Sequence, residues 1–515
     1  MKTSLLLIFI IAALLRFIYF PENVYFGYDQ ARDAYISQNI LSGDIKIKGP
    51  PASFDSGIFH GALSYYIFTP FYLISSGDPT LVSIFLRLYN AAGILLVYLI
   101  ASGLFNKKTG LIAAFLFAIS YEQTQYSLFL SHPSLAVLSV LLFYYGLLKL
   151  FFLKKQIGLV ISAIGLGLAI QFHFSLILLF VPLCLLPLIM ADWPLLSLKR
   201  LQLLTLLKNL YQSHLKHFFL AILALLLLTS TFIASELKYK DLQRMIFSSN
   251  HKSSINSINT WESGIFQLNR IINDNILITD NYWIGLLITS IIFILFFRYR
   301  KKFSRQMAFL VVWFAVGLIP YFINYSKIYY YGISGSVSLL IIVAFILNTI
   351  LSKTRILAFI LVLMISLSNI YLIIVNNRYD FNQGIIVQKG LVLPVEKQVL
   401  DYIYEKSADE DFSINAVTIP YNVKTTWDYL FSWYGQKTYG YLPVWGGDAA
   451  PGYEGKLKIQ TSRSELPKKR FLIVEPSQNI PSYMIEDLIK TEDLFSRVIE
   501  EKRYGEIIIQ YRQAI

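Results

Sequence analysis

The sequence has 515 residues, of which 55% are hydrophobic and 16% aromatic, and its mean hydropathy is +0.54. A soluble fold cannot bury that much apolar surface, so the composition excludes an ordinary water-soluble globule and indicates a membrane protein. The net charge of +13 comes from Lys and Arg beside apolar runs, which is typical of cytoplasmic membrane loops and argues against a nucleic-acid partner.

Apolar stretches long enough to cross the bilayer predict a polytopic α-helical membrane protein with about 11 transmembrane helices. The first begins near Ser4 and lacks a small-residue cleavage site before Arg16, so we interpret it as an uncleaved span and not a signal peptide. The others begin near Leu81, Gly110, Pro133, Ile157, Phe174, Phe218, Tyr282, Gln306, Gly332 and Arg355. Cys184, the only cysteine, lies within such a run, which leaves no disulfide framework.

The basic clusters between the spans set the predicted orientation. A cytoplasmic N-terminus puts nearly all of them inside, including Lys107, Lys108, Lys154, Lys155, Lys199, Arg200, Lys208, Lys216, Arg298, Arg300, Lys301, Lys302, Arg305, Lys353 and Arg355. We therefore expect a multi-pass protein of the plasma membrane, with residues 21–80, 121–131, 236–281 and the region after Asn376 outside.

The first external loop contains two predicted interfacial helices. Gln30 to Ser42 places its apolar residues on one helical face, and Ile58 to Ile74 is a more apolar segment after a Gly/Pro/Ser-rich break. Asp29, at the start of the first helix, is a candidate general base or metal-bound carboxylate; the alternative is an N-cap of that helix. Asp33 either pairs with Arg32 or faces water.

Three histidines are predicted at the same external surface. His60 begins the second interfacial segment, whereas His132 and His173 lie at the external ends of spans. An imidazole there can donate to a phosphate oxygen or bind a metal, and the alternative is that the three are solvated and far apart.

Two basic residues are further candidates. Lys327 precedes Tyr329, Tyr330 and Tyr331 in a short external turn, which suits a lipid phosphate; the alternative is a snorkelling lysine in an interfacial aromatic belt. Arg87, a charge within the second span, must face protein or water, and Asp29 and Glu122 are its candidate partners.

The chain changes character at Asn376, where apolar runs shorten and charges become frequent. We therefore predict a transmembrane domain over residues 1–375 and a small extracytoplasmic α/β domain over residues 376–515. Its predicted elements are helices at Val395–Lys406 and Tyr483–Lys490, strands at Phe412–Ile419 and Arg470–Val474, and a hairpin at Arg497–Tyr511.

The first loop, GYDQARDAYISQNILSGDIKIKGP followed by FHGALSYYIFTPFYL, resembles that of the polyprenyl-phosphate-sugar-dependent glycosyltransferases of family 39. These belong to the C-type superfamily, with protein O-mannosyltransferases and the lipid A aminoarabinose transferase. Asp29-Gln30 match an Asp-Glu or Asp-Gln pair, and His60-Gly61-Ala62 loosely match an element before a Tyr-rich helix. SHPS at Ser131–Ser134, QFHFS around His173 and KIYYYG at Lys327 extend the resemblance to about Asn376.

The sequence also departs from the family pattern. Gln30 replaces an acidic partner, Gly61 stands where Pro is common, and His132 stands where Asn or an acidic residue is often expected.

The resemblance implies a membrane glycosyltransferase that moves a sugar from a polyprenyl-phosphate donor to a hydroxyl of a lipid, glycan or protein acceptor of the cell envelope. It implies Asp29 as the general base, with a divalent metal ion as a candidate cofactor and inversion at the anomeric carbon. The donor phosphate would be bound by His60, Lys327, Tyr330 and Arg87, and further site candidates are Arg32, Asp33, His132 and His173.

Two other classes of function remain open from the sequence. A multispan transporter or lipid-linked-sugar flippase would also be basic inside and rich in aromatic residues, although the candidate residues here lie at one surface and not along a pathway. A non-catalytic assembly subunit would need only one substituted site residue.

Overall fold

The computed structural model describes residues 2–52, 58–190, 215–240, 260–323, 328–333, 335–378, 384–386, 388–476 and 480–515. Most of this part of the chain is helical. The helices up to residue 376 are α1 Lys2–Arg16, α2 Tyr28–Leu41, α3 Leu63–Ile74, α4 Thr80–Leu104, α5 Lys107–Ile119, α6 Tyr121–Leu128, α7 His132–Phe151, α8 Ile157–Phe172, α9 Phe180–Met190, α10 Leu215–Leu228, α11 Ser230–Tyr239, α12 Thr260–Asn275, α13 Tyr282–Phe297, α14 Arg300–Ile323, α15 Ser336–Leu351 and α16 Arg355–Asn376.

Several of these helices have the length and composition of membrane spans. Among the described residues, α4, α7, α14 and α16 are each long and apolar enough to cross a bilayer, and α10 with α11, bent by 53°, would add a fifth span. The eleven predicted span positions each fall within or next to a described apolar helix. The protein is therefore a membrane protein, and the number of eleven spans stays a prediction.

The two predicted helices of the first loop correspond to α2 and α3, although α3 begins at Leu63 and not at Ile58. Gly27 is the N-cap of α2, and its backbone N–H donates to Gln30 Oε1 at 3.1 Å. The other end of the Gln30 amide donates to the carbonyl of Leu130 at 3.0 Å, which fixes the start of α2 beside the start of α7. Asp29 therefore does not cap the helix, and its carboxylate accepts from Arg32 instead.

The C-terminal part combines helices with one sheet. Its helices are α17 Leu393–Ser407, α18 Thr425–Leu430, α19 Gln436–Tyr439 and α20 Ser482–Asp493, and its strands are β1 Phe412–Val417, β2 Val444–Gly446, β3 Ile459–Gln460, β4 Lys469–Val474, β5 Ser496–Tyr504 and β6 Ile507–Ala514. The strand order is β3-β2-β1-β4-β6-β5, with β1 to β4 parallel and β5 and β6 forming an antiparallel hairpin. Every helix and strand predicted after Asn376 has a counterpart here.

This C-terminal part packs directly on the first loop. The Tyr35 hydroxyl of α2 donates to Asp428 Oδ1 at 2.5 Å, and Lys456 Nζ donates to Gln38 at 3.0 Å. Asp428 is fully buried and also accepts from the backbone N–H groups of Lys456 and Leu457. Because a buried carboxylate with these donors is costly to expose, the contact holds α2 in a defined position.

Candidate active site

The centre of the site is an ion-paired triad on α2. Arg32 donates to Asp29 Oδ1 at 2.6 Å and, from two of its nitrogens, to Asp33 Oδ1 at 2.7 and 3.0 Å. The side chain of Asp29 is 49% exposed, whereas those of Arg32 and Asp33 are 6% and 2% exposed. The guanidinium therefore links a buried carboxylate to one that is open to solvent.

The two carboxylates differ in what they can do. Burial raises the pKa of Asp33, although Arg32 opposes that effect, and its Oδ2 has no hydrogen-bond partner within the described part of the chain. Asp29 is the carboxylate that a substrate can reach. The sequence left the partner of Asp33 open, and the structure assigns Arg32 to both acids.

The three predicted histidines form one cluster. The ring centroids of His60 and His132 are 4.3 Å apart, those of His60 and His173 4.7 Å, and those of His132 and His173 6.0 Å. Burial, the two neighbouring imidazoles and the charge of Arg32 all lower the pKa of His60. His60 is therefore neutral, and the cluster adjoins the triad.

Backbone contacts fix the protonated nitrogen of two rings. The N–H of Phe174 donates to His60 Nδ1 at 3.0 Å, so the neutral His60 ring carries its proton on Nε2. His132 Nδ1 contacts the carbonyl of Phe172 at 2.5 Å, and because a carbonyl only accepts, that nitrogen is protonated. His60 can therefore offer an Nε2–H donor to a substrate oxygen.

Close backbone packing explains why residue 61, directly after His60, is a glycine. The N–H of Gly61 donates to the carbonyl of Gln171 at 2.8 Å, and a Cβ on Gly61 would lie 2.9 Å from Gln171 Cα. Only glycine lets the first loop approach the end of α8 this closely. The departure from the family pattern at Gly61 thus brings His60 to His173.

The tyrosines after Lys327 complete one wall. Tyr330 stacks on Phe129 with a centroid distance of 6.1 Å and contacts His173 edge-to-face at 5.3 Å. Tyr331 lies 5.4 Å from His173. Tyr330 and Tyr331 of this turn thus lie against the histidine cluster. Lys327 itself lies outside the described residues.

Arg87 lies in a different cluster. Its guanidinium is fully buried and donates to Ser83 Oγ at 3.1 Å, Asn23 Oδ1 at 2.9 Å and the carbonyl of Arg16. Neither Asp29 nor Glu122, the candidate partners from the sequence, is among its contacts. These bonds join the end of α1 to α4, and we leave Arg87 out of the proposed site.

A second buried polar group was missed from the sequence. Arg270 of α12 lies 3.7 Å from the ring centroid of Tyr329 and 3.9 Å from Glu122, and its three guanidinium nitrogens have no hydrogen-bond partner among the described residues. The Tyr329 hydroxyl donates to Asp274 at 2.8 Å. Arg270 was hard to identify because α12 lies about 200 residues from the first loop and resembles an ordinary amphipathic helix.

One further contact comes from the C-terminal part. Tyr453 meets Tyr28 edge-to-face at 5.8 Å, and Arg32 lies 5.5 Å from the Tyr28 ring centroid. Residues of the loop between β2 and β3 thus border the triad.

The described residues do not by themselves form a metal site. Within the described residues, no three His, Cys, Asp or Glu side chains are placed to hold one. Both carboxylates of the triad are already bound to the guanidinium of Arg32. We derive no step through a metal.

Comparison with known proteins identifies the fold. Residues 60–234 match the family model of dolichyl-phosphate-mannose-protein mannosyltransferase. The solved structure of ArnT from Cupriavidus metallidurans, bound to undecaprenyl phosphate, is similar over 98% of this chain and 97% of that chain, with 12% identity and a TM-score of 0.61. The Archaeoglobus fulgidus oligosaccharyltransferase in complex with Zn and sulfate is similar over 98% of this chain and 72% of that one, with 15% identity and a TM-score of 0.53. No curated protein matches by sequence.

The resemblance to C-type glycosyltransferases that the first loop indicates is therefore confirmed. The family model begins at His60, and the similarity of fold extends over nearly the whole chain.

Proposed function

We propose that this membrane protein, which has the fold of the C-type glycosyltransferases, transfers a sugar from a polyprenyl-phosphate donor to an acceptor hydroxyl at the extracytoplasmic face. The observation that carries the proposal is Asp29: a half-exposed carboxylate, held at 2.6 Å by a buried arginine whose charge also acts on His60 of the three-histidine cluster. The lipid tail of such a donor confines the reaction to the membrane surface, which explains why the catalyst is embedded in a bilayer.

The reaction is a displacement at the anomeric carbon. The acceptor oxygen forms a bond to that carbon while the bond from the carbon to the phosphate oxygen breaks, and the polyprenyl phosphate leaves with the electron pair. Asp29 Oδ2 accepts the proton of the acceptor hydroxyl, and the anomeric configuration inverts. A carboxylate is a weak base, so proton transfer becomes favourable only as the new bond forms and acidifies the hydroxyl.

Arg32 holds the Asp29 carboxylate in one orientation for this step. The bond from Arg32 occupies Asp29 Oδ1 and leaves the other oxygen for the acceptor. Because Asp33 anchors the opposite side of the same guanidinium, the arginine cannot turn away from the base without breaking a buried ion pair.

The negative charge that develops on the departing phosphate must be stabilised by hydrogen-bond donors and cations. His60 supplies Nε2–H, and the rings of Tyr330 and Tyr331 contact the neighbouring His173 ring. Lys327, two residues before the described Tyr329, is proposed as the cation of this group from the sequence. Hydrogen-bond donors aimed at developing charge are the usual basis of such stabilisation.

The C-terminal part is proposed to act on the acceptor side. Asp428 accepts a hydrogen bond from the Tyr35 hydroxyl and so fixes the position of α2. Tyr453 places an aromatic ring against Tyr28, next to the triad. Aromatic rings next to a carboxylate suit the apolar faces and hydroxyls of a sugar or glycan acceptor.

The test is sugar transfer from a panel of radiolabelled polyprenyl-phosphate sugars, using membranes that contain wild type, Asp29→Asn or Asp44→Asn. Asp44 is the matched control, because it is a 54% exposed carboxylate of the same loop, paired with Lys46 at 2.7 Å. We expect Asp29→Asn to lose at least 100-fold in transfer rate, as is usual for loss of a general base, while Asp44→Asn retains full activity. A parallel arm with a chelator measures any requirement for a divalent ion.

Full transfer by Asp29→Asn would remove that residue from the chemistry. Absence of transfer with every donor, from wild-type protein shown to be folded, would contradict the enzyme proposal and favour a flippase or an assembly subunit.

A further inference from the structure

A large basic cavity lies at the far end of the helical bundle. It has a volume of about 710 Å³ and is lined by Lys107 and Lys108 at the start of α5, Tyr299 and Lys302 at the start of α14, and the end of α15, from Phe345 to Ser352. Three helix termini that are distant in sequence thus converge on one space.

This cavity is separate from the candidate active site. The Tyr329–Gly332 turn, which borders the histidines, immediately precedes α15, whereas Asn348 and Ser352 at the other end of α15 line the cavity. Sixteen residues of helix rise about 24 Å at about 1.5 Å per residue. A ligand in the cavity therefore cannot touch Asp29.

The charge in and around the cavity is of one sign. Lys107, Lys108 and Lys302 are exposed, and none of the described residues that line the cavity is acidic. The sequence has no Asp or Glu between residues 99 and 120, 281 and 310, or 340 and 360. No carboxylate of these segments is present to neutralise the lysines.

Neutral hydrogen-bonding groups accompany the lysines. Asn106, Asn348, Thr349 and Ser352 line the same space. Topology alone requires only that positive charge be near the membrane. It does not require lysines from two different helix termini to line one cavity, and ammonium groups gathered in this way are suited to phosphate oxygens. The neutral groups serve the local structure, since Asn348 donates to Thr109 and the hydroxyls of Thr349 and Ser352 donate to carbonyls of α15.

Apolar and aromatic surface adjoins the charged part. Phe303, which interrupts the helical geometry of α14 with φ −130° and ψ 34°, packs at 5.3 Å against Phe345. A second cavity of about 180 Å³ shares Tyr299 and Thr349 with the first and continues along Leu295, Ile346 and Ile350, flanked by Arg298 and Lys353.

We propose that this cavity binds the phosphate-bearing headgroup of an anionic membrane phospholipid, on the face opposite the active site. The lysines hold the phosphate, and the apolar wall of the second cavity takes the first part of an acyl chain. A basic pocket between transmembrane helices is a known arrangement for anionic lipid headgroups. A soluble phosphate would use the charges but not the apolar wall, which favours the lipid.

The test uses purified full-length protein in mild detergent, with bound lipid counted by native mass spectrometry. The probes are dioleoyl phosphatidylglycerol, dioleoyl phosphatidylcholine and soluble glycerol 3-phosphate. The variants are Lys107→Gln/Lys108→Gln and, on a different helix, Lys302→Gln. The matched control is Lys154→Gln/Lys155→Gln, because that exposed pair on the same predicted side lies outside the cavity lining.

We expect wild type to bind phosphatidylglycerol at least threefold more than phosphatidylcholine. Each cavity variant should lose that preference, and the control should keep it. Equal loss in the control, or equal binding of the two lipids, would show only general surface charge and would overturn the proposal. Displacement of the lipid by an equal concentration of glycerol 3-phosphate would show a soluble-phosphate site instead and would also overturn it.

Discussion

Arg32 joins two carboxylates that differ sharply in exposure, 49% for Asp29 and 2% for Asp33. The buried partner holds the guanidinium in place, because an unpaired charge at that depth is expensive. The exposed partner is thereby presented to the substrate in one orientation. A single arginine thus turns a mobile surface acid into a preorganised group.

Arg32→Gln should destabilise the protein by about 3–5 kcal/mol, because the variant leaves Asp33 buried without its ionic partner. The matched control is Lys46→Gln, which breaks a more exposed pair with Asp44 in the same loop and should cost less than about 1 kcal/mol. Thermal unfolding of both variants in detergent measures the difference. Equal shifts in Tm would show that the Arg32 pair contributes no more than a surface ion pair.

At this scale the sequence indicated which residues lie near one another in the candidate site, but not how they contact one another. Asp29, His60, His132 and His173 were identified from their positions at one predicted membrane surface, and the structure brings the three imidazoles within 6.0 Å of one another. Their distances could not be predicted, since they depend on the close approach of Gly61 to Gln171. Arg270 was missed because it reaches the Tyr329 turn only through the packing of the bundle.

Helix α2 makes different contacts on two of its faces. One presents Asp29 and Arg32 to the site, and the other presents Tyr35, whose hydroxyl donates to the buried Asp428 of the C-terminal part. A helix of fourteen residues is marginal on its own in water. Its position therefore depends on the C-terminal part as well as on the bundle.

Tyr35→Phe should destabilise the protein by about 1.5–3 kcal/mol, since it removes a hydrogen bond to a buried carboxylate. The matched control is Tyr439→Phe, which removes a bond of the same kind, to Asp401 at 2.7 Å, from a tyrosine that is 37% exposed. That variant should cost less than about 1 kcal/mol. Unfolding midpoints of the two variants test the comparison, and a larger loss from Tyr439→Phe would mean that the contact between α2 and Asp428 is not an important one.

Elements were predicted more accurately than their assembly. The helix at Val395–Lys406 and the hairpin at Arg497–Tyr511 correspond to α17 and to β5 with β6, because amphipathic periodicity and a Tyr-Gly turn are local signals. The sheet order, with β4 between β1 and β6, is set by contacts between distant segments. The packing of the C-terminal helices on α2 is also set by contacts between distant segments, and no local sequence pattern predicts it.

At the scale of the whole molecule, the structure has two chemically different ends. The end that carries Asp29 and the histidines has paired charges and aromatic rings. At the end that carries Lys107, Lys108 and Lys302, none of the described residues lining the cavity is acidic. Because a positive excess is retained on the cytoplasmic side, we predict that the lysine-rich end faces the cytoplasm and the Asp29 end the exterior.

Single-cysteine labelling tests this orientation. The native Cys184 is exposed, so it is first removed as Cys184→Ser, and Asp44→Cys or Lys107→Cys is then introduced in that background. A membrane-impermeant maleimide should label the cysteine at position 44 in intact cells, and that at position 107 only after the membrane is permeabilised, since the two lie at opposite ends of the bundle. The reverse pattern would place the active site inside and exclude an extracytoplasmic acceptor, whereas labelling of both in intact cells would contradict the membrane arrangement itself.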